Sequence, residues 1–179
     1  MMHFYNFKFY CFIDKYDKSL INNLKNNVSV IYRNYSSKSH LQTVKKIKRI
    51  CKKRGLKFFL SNNIKLAINL NLDGAYIPSF NKNLNFNSFS LKKDFKLLGS
   101  AHTLKEIKIK EKQNIEYIFL SSLFKNNKNK ISLGIYRFIN LKNLTKKNVV
   151  ALGGIKKTNF NIIKKINISS IASISLFHK

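Results

Sequence analysis

Two periods alternate along this chain. Short runs that are apolar on both faces, such as FKFYCFID and VSVIYRNY, read as strands. Between them stand stretches with a helical repeat. KSLINNLKN is one, and HLQTVKKIKRICKKRG is a clearer one, with Leu41, Val44, Ile47 and Cys51 on a single face. Ser39 and Gln42 give that helix a capping-box signature, and Gly55 stands where a helix end favours a left-handed residue.

The alternation continues with strand LKFFLSN, helix NIKLAINLN, strand DGAYIPS, an Asn-rich loop and strand FKLLGSAH. Helix TLKEIKIKEKQN, strand IEYIFLSSLF, a Lys/Asn loop with an irregular segment, strand NVVALGGI, helix NFNIIKKIN and strand ISSIASISLF complete it. Strands buried on both faces and followed by helices or loops are what a parallel sheet requires. The pattern predicts an α/β fold, a compact eight-stranded parallel TIM-type barrel spanning 1–179 as one domain. A doubly wound open sheet is the second choice.

Composition narrows the setting. The formal charge is +28, from 35 Lys and Arg against 7 Asp and Glu, which would attract polyanions. The excess is nearly all Lys, with four Arg, and accompanies heavy use of Asn and Ile, as compositional drift in an AT-rich coding sequence would produce. A solvated Lys-rich exterior is therefore expected, and nucleic acid is a less favoured partner. Cys11 and Cys51 have neither disulfide-framework nor metal spacing. No apolar run is long enough to cross a bilayer, and MMHFYNFKFYCFIDK, broken by Asn6, Lys8 and Asp14, reads as a first strand rather than a signal peptide. The expected location is cytoplasmic, with no membrane partner.

Candidate chemistry collects at predicted strand ends. Gly153 and Gly154 close the seventh strand, where bare backbone N–H groups could meet an anion, and Ser175 near the end of the eighth could add a hydroxyl. The alternative is a tight turn that needs positive φ. Arg33 ends the second strand as a potential bidentate phosphate clamp. His102 precedes Thr103, which with Glu106 forms a capping box, so its imidazole is expected to face a helix N-terminus that favours the neutral, proton-shuttling form. A packing or capping histidine is the alternative. His3, His40 and His178 read as surface or strand-end residues.

Taken in order, VIYRNY, RICKKRGLKFFLSNNIKLAINLNLDGAYIPS, LLGSAHTLKEI, IEYIFLSSLF, VVALGGI and IASIS resemble the thiamine phosphate synthase and TenI family of barrels, across roughly Val28 to Phe177. The resemblance implies a protein of thiamine biosynthesis whose ligands are phosphorylated thiazole and pyrimidine compounds. In the family's synthases the second strand ends in Leu-Arg-Glu-Lys, whose Arg and Lys hold pyrophosphate; Tyr32, Arg33, Asn34 and Tyr35 stand there. An Asp after strand three and another after strand four bind magnesium in those enzymes, and Asn62 and Asn81 match these positions. Ser100 and His102 match the family's Ser and His at the end of strand five, the His being the acid/base catalyst of TenI-type thiazole tautomerases. Lys128 or Lys130 matches a phosphate contact of the loop after strand six.

By that resemblance, Arg33, Ser100, Lys128, Gly153, Gly154 and Ser175 are the expected phosphate or substrate ligands and His102 the expected catalyst. Mg²⁺, which prefers carboxylates, is expected only if the chain is a competent synthase. The readings that follow are a transferase joining pyrimidine pyrophosphate to thiazole phosphate, a metal-independent tautomerase using His102, a non-catalytic phosphate-ligand module, and, least favoured, a basic nucleic-acid binder.

Overall fold

A strand apolar on both faces needs cover on both, and in this chain a closed sheet supplies the inner cover and helices the outer one. The computed structural model describes residues 7–35, 40–125 and 131–177, without the side chains of residues 40, 86 and 87. His3, Ser39, Lys128, Lys130 and His178 lie outside the described residues, as does the side chain of His40.

Among the described residues, eight parallel strands close in sequence order. They are β1 (Lys8–Ile13), β2 (Val28–Tyr32), β3 (Phe58–Ser61), β4 (Gly74–Ile77), β5 (Lys96–Ala101), β6 (Tyr117–Leu120), β7 (Asn148–Leu152) and β8 (Ser170–Ser173). Pairing of Lys8–Cys11 with Ser170–Ser173 joins first strand to last. The predicted barrel is the observed fold, and the open doubly wound sheet is not.

Helices α1 (Lys18–Asn23), α2 (His40–Arg54), α3 (Ile64–Asn69), α4 (Leu104–Lys112) and α6 (Phe160–Lys165) fall in the predicted stretches. The stretch after β6 that reads as irregular contains a further helix, α5 (Gly134–Asn143). Its start carries no side-chain cap, the Ncap position being Leu133, and its aromatic and β-branched residues are weak helix formers. Burial of Phe138 and Leu141 against the barrel stabilises it instead.

Alternate strand residues fill the barrel interior, with Tyr10, Phe12, Ile31, Phe59, Tyr76 and Phe119 the bulkiest. Phe12 and Phe119 meet the Tyr76 ring edge-on at 5.2 and 5.3 Å between centroids. Opposite faces of the same strands pack under the helices, Val30 and Leu60 sharing one buried cluster with Val44 and Ile47 of α2. Gly74 marks a close approach, since a Cβ there would lie 2.0 Å from the Lys96 carbonyl oxygen and 2.8 Å from the Phe59 ring.

One charge is buried between α4 and the sheet. Lys110 has no exposed surface, and its ammonium donates at 2.8 Å to the carbonyls of Pro78 and Asn81 and to Gln113 Oε1. The Gln113 amide donates in turn to the carbonyls of Asn81 and Asn83 at 3.0 and 2.8 Å. Together the two side chains pin the loop after β4, which has little regular structure of its own. Desolvation lowers the Lys110 pKa to about 8, with Glu106 pulling the other way.

Removing a buried donor strands its acceptors, so Lys110→Met should destabilise the protein by about 1–3 kcal/mol at pH 7. The pH signature follows from the direction of the shift. Below pH 8 folded and unfolded states are both protonated at Lys110 and the desolvation penalty is fully present; between about 8 and 10.5 the unfolded chain binds more protons, so stability rises with pH. Urea midpoints should therefore show wild type gaining on Lys110→Met across that window, and parallel curves would contradict this account of Lys110.

Candidate functional site

With every strand parallel, the chain leaves all strands at the same end, and the loops there form one mouth. At the end of β2, Arg33 follows Tyr32, with its backbone N–H bonded to the Ile13 carbonyl at 2.8 Å. Its guanidinium carbon sits 4.9 Å from the centre of the Phe12 ring, a cation–π contact that holds the fork over the barrel interior. Two residues on, Tyr35 shares a 3.0 Å hydroxyl contact with Ser61 at the end of β3 and packs edge-on against Phe80 at 5.5 Å. Tyr35 and Phe80 are 52% and 62% exposed, an aromatic pair open to solvent.

Asn62 and Asn81, far apart in sequence, meet at the mouth. Asn81 Nδ2 donates to Asn62 Oδ1 at 2.7 Å. Asn62 holds φ at 58°, a conformation Asn tolerates better than most residues, with its N–H on the Tyr76 carbonyl at 2.8 Å. The carbonyl of Asn81 accepts from both Lys110 and Gln113, so the position of Asn81 is set by the buried ammonium. Each amide uses a polar atom on the other, and neither carries charge. A hard divalent cation is poorly served by this pair, and among the described residues no cluster of three or more His, Cys, Asp or Glu replaces it. The residues present do not fit Mg²⁺.

At β5, Ser100 is buried and its hydroxyl accepts the Ser79 N–H at 3.0 Å, while a second side-chain bond joins it to Tyr76. Burial nonetheless pushes the Tyr76 phenol up to about 12. His102 is exposed, and its Nδ1 lies 2.9 Å from the Ser121 carbonyl. A carbonyl can only accept, so Nδ1 carries the hydrogen, leaving Nε2 free of that bond to exchange a proton when the ring is neutral. The local capping differs from the sequence expectation. Thr103 caps α4 through Glu106 N at 3.3 Å, but the Glu106 carboxylate returns to the His102 N–H at 2.6 Å rather than to that of Thr103. The carbonyl of Ser121, not the start of α4, is the ring's hydrogen-bond partner.

Gly153 and Gly154 follow β7 at φ 95° and 65°. A Cβ on Gly153 would fall 2.1 Å from Ser122 Oγ, and one on Gly154 would fall 2.6 Å from the carbonyl oxygens of Phe124 and Lys125. Both the left-handed backbone and the tight approach of residues 122–125 therefore demand glycine. His102 on Ser121 and Gly153 against Ser122 place these two groups at adjacent points of one rim. Ser175 is exposed in the turn after β8, whereas its neighbour Ser173 is buried and accepts the Leu176 N–H at 3.1 Å. Lys128 lies outside the described residues.

Two participants escape sequence reasoning. Lys110 falls three residues after buried Ile107 on the inner face of α4, a spacing that carries a signal, though one masked by the surrounding lysines. The Ser121 carbonyl leaves no signal, being backbone.

Comparison with known proteins supplies the lineage. The thiamine-phosphate synthase of Clostridium tetani is 29% identical over 146 residues, covering 80% of this chain and 69% of that protein. The enzyme of the same name from Flavobacterium johnsoniae is 27% identical over 153 residues, covering 81% and 72%. The chain spans 38% of a longer thiamine-phosphate synthase from Prochlorococcus marinus, at 28% identity. Among solved structures, the thiamine phosphate pyrophosphorylase of Pyrococcus furiosus superposes with a TM-score of 0.75 over 95% of this chain and 86% of its own, at 19% identity, a likeness of fold. The family model for thiamine monophosphate synthase matches residues 16–177, nearly the whole barrel, and the chain belongs to that thiamine monophosphate synthase and TenI family.

Proposed function

We propose that the C-terminal mouth binds a phosphorylated thiazole and that His102 moves a proton on it without a metal, a TenI-like reaction within thiamine biosynthesis. The observation that carries this reading is the Asn62–Asn81 hydrogen bond. By the resemblance, these neutral amides stand at the positions whose carboxylates bind magnesium in the family's synthases. Pyrophosphate departure needs its developing charge neutralised, whereas a tautomerisation removes one proton and returns one to the same molecule.

In this reading Arg33 clamps the phosphate, its fork steadied on Phe12, and the backbone at Gly153 and Gly154 offers N–H groups to the same anion with Ser175 near the rim. Ser100 keeps the β4 loop in register through Ser79 rather than reaching out to the ligand. The exposed rings of Tyr35 and Phe80 give the flat heterocycle an apolar edge to rest on. His102, oriented through Nδ1 by the Ser121 carbonyl, takes and returns the proton at Nε2.

The test is turnover of a thiazole carboxylate phosphate, followed by proton exchange in NMR, beside an assay for coupling with pyrimidine pyrophosphate. Isomerisation should be indifferent to EDTA and fall at least about 100-fold in His102→Ala. Robust, EDTA-sensitive formation of thiamine phosphate would overturn the metal-free reading. Arg33→Ala should weaken thiazole phosphate binding about tenfold, as loss of a charge-assisted pair does.

The amide pair makes a separate prediction. Replacing both with Asn62→Asp and Asn81→Asp would set two carboxylates within hydrogen-bond distance of each other, so the thermal midpoint should fall in metal-free buffer and recover with Mg²⁺. Wild type should show no such magnesium-dependent rise; a rise in wild type would mean that other groups hold the ion.

A further inference from the structure

The opposite end of the barrel, where the strands begin, holds a concavity of about 710 Å³ that the mouth chemistry does not use. Lys8, Lys57, Lys142 and Lys147 converge on it, Asn27 and Asn148 stand among them, and none of its lining side chains is acidic. Nearby Glu116 is taken up by Lys96 at 2.9 Å. In a chain this rich in lysine, basic side chains on convex surface mean little. Four of them around a hollow are different, because a concave, low-dielectric wall focuses their field on one volume.

Two of the lysines are held in place. Lys8 is half-buried, with Nζ 4.6 Å above the Tyr117 ring, and Lys142 Nζ donates to the Ile166 carbonyl at 3.1 Å. Lys57 and Lys147 belong to no ion pair among the described residues. Behind the lining residues Tyr117 and Lys8 the barrel interior begins with Tyr10, fully buried, whose hydroxyl has no hydrogen-bond partner among the described residues. Its ring lies 6.4 Å from that of Tyr117, and Lys8 Nζ is 5.7 Å from its centre.

We infer that this basal cavity is a second anion site, for a nucleotide-sized phosphate ester. The volume falls within the range of sites that enclose small organic ligands, roughly 300–1,000 Å³. The four ammoniums suit several phosphate charges at once, and the amides of Asn26 and Asn148, with Oδ1 of Asn27, whose Nδ2 donates to the Phe7 carbonyl, can hydrogen-bond a sugar or base. The site lies at the end of the barrel away from Arg33 and His102, and its occupancy does not depend on the reaction proposed there.

Isothermal titration of ATP into the full chain at 150 mM salt, without Mg²⁺, tests it. Binding should be saturable, one per chain, with Kd below about 1 mM. Lys57→Ala with Lys147→Ala, changes at rim positions that leave the core intact, should weaken binding by about tenfold or more. Lys45→Ala with Lys46→Ala, on the exposed side of α2, and Arg33→Ala at the mouth should leave it unchanged. Equal weakening by the α2 pair would reduce the effect to overall charge, weakening by Arg33→Ala would place ATP at the mouth, and absence of saturable binding would remove the site; each of these overturns the inference. Pyrophosphate as a second probe should bind more weakly than ATP if the asparagines contribute, and equal affinity would reject the nucleotide-sized ligand.

Discussion

Everything functional in this molecule depends on the hydrogen-bonded seam between β1 and β8. Once Lys8–Cys11 pairs with Ser170–Ser173, no edge strand remains and every strand points the same way. Closure also sorts side chains by parity. One set packs the interior around Phe12, Tyr76 and Phe119, and the other receives the helices. Because the aromatic interior fills the barrel, ligands are left with its two ends. One of them carries Arg33 and His102, and the other the lysines around Tyr117.

At the C-terminal end the loops after β3 and β4 are joined by an internal scaffold of neutral amides. A magnesium ion between carboxylates would tie the loops after β3 and β4 together through charge. Here the Asn62–Asn81 bond ties them, and Lys110 with Gln113 braces the β4 loop from beneath through the Asn81 carbonyl. The Lys110 cation is spent on the Pro78 and Asn81 carbonyls and on Gln113 Oε1. These hydrogen bonds join the two loops without a metal ion. The proton transfer proposed for His102 makes no demand on such an ion, since it needs a positioned imidazole and a bound ligand.

The strands were legible because burial on both faces writes near-continuous apolar runs, and α2 because a long amphipathic helix repeats its signal over four turns. α5 was not, because it begins without a capping side chain and its stability comes from Phe138 and Leu141 meeting the barrel, a tertiary fact. Candidate residues at strand ends could be picked out one at a time, as Arg33, Ser100, His102 and the glycine pair were. Their relations could not. That Asn62 and Asn81 bond to each other across 19 positions, that Ser100 faces inward to Ser79, and that Glu106 returns to the His102 amide all depend on three-dimensional neighbours. The glycines gained a reason that no pattern supplies: residues 122–125 press on their α-carbons.

That contact also bears on how the mouth can work. The loop after β6 is held at its base by backbone bonds from Leu123 and Phe124 to the carbonyls of Leu152 and Gly153, and by Ser122 Oγ donating to the Phe124 carbonyl at 2.7 Å. The same short segment presents the Ser121 carbonyl that fixes the His102 ring. A side chain at Gly153 would push against Ser122 and shift its neighbour Ser121. The glycine after β7 therefore reaches the histidine after β5 through a single intervening segment, so the proposed phosphate and proton positions rest on one shared support. In the function proposed above, a ligand phosphate on the Gly153–Gly154 backbone would set its heterocycle against a histidine whose orientation depends on the same packing, coupling binding to orientation as proton transfer needs.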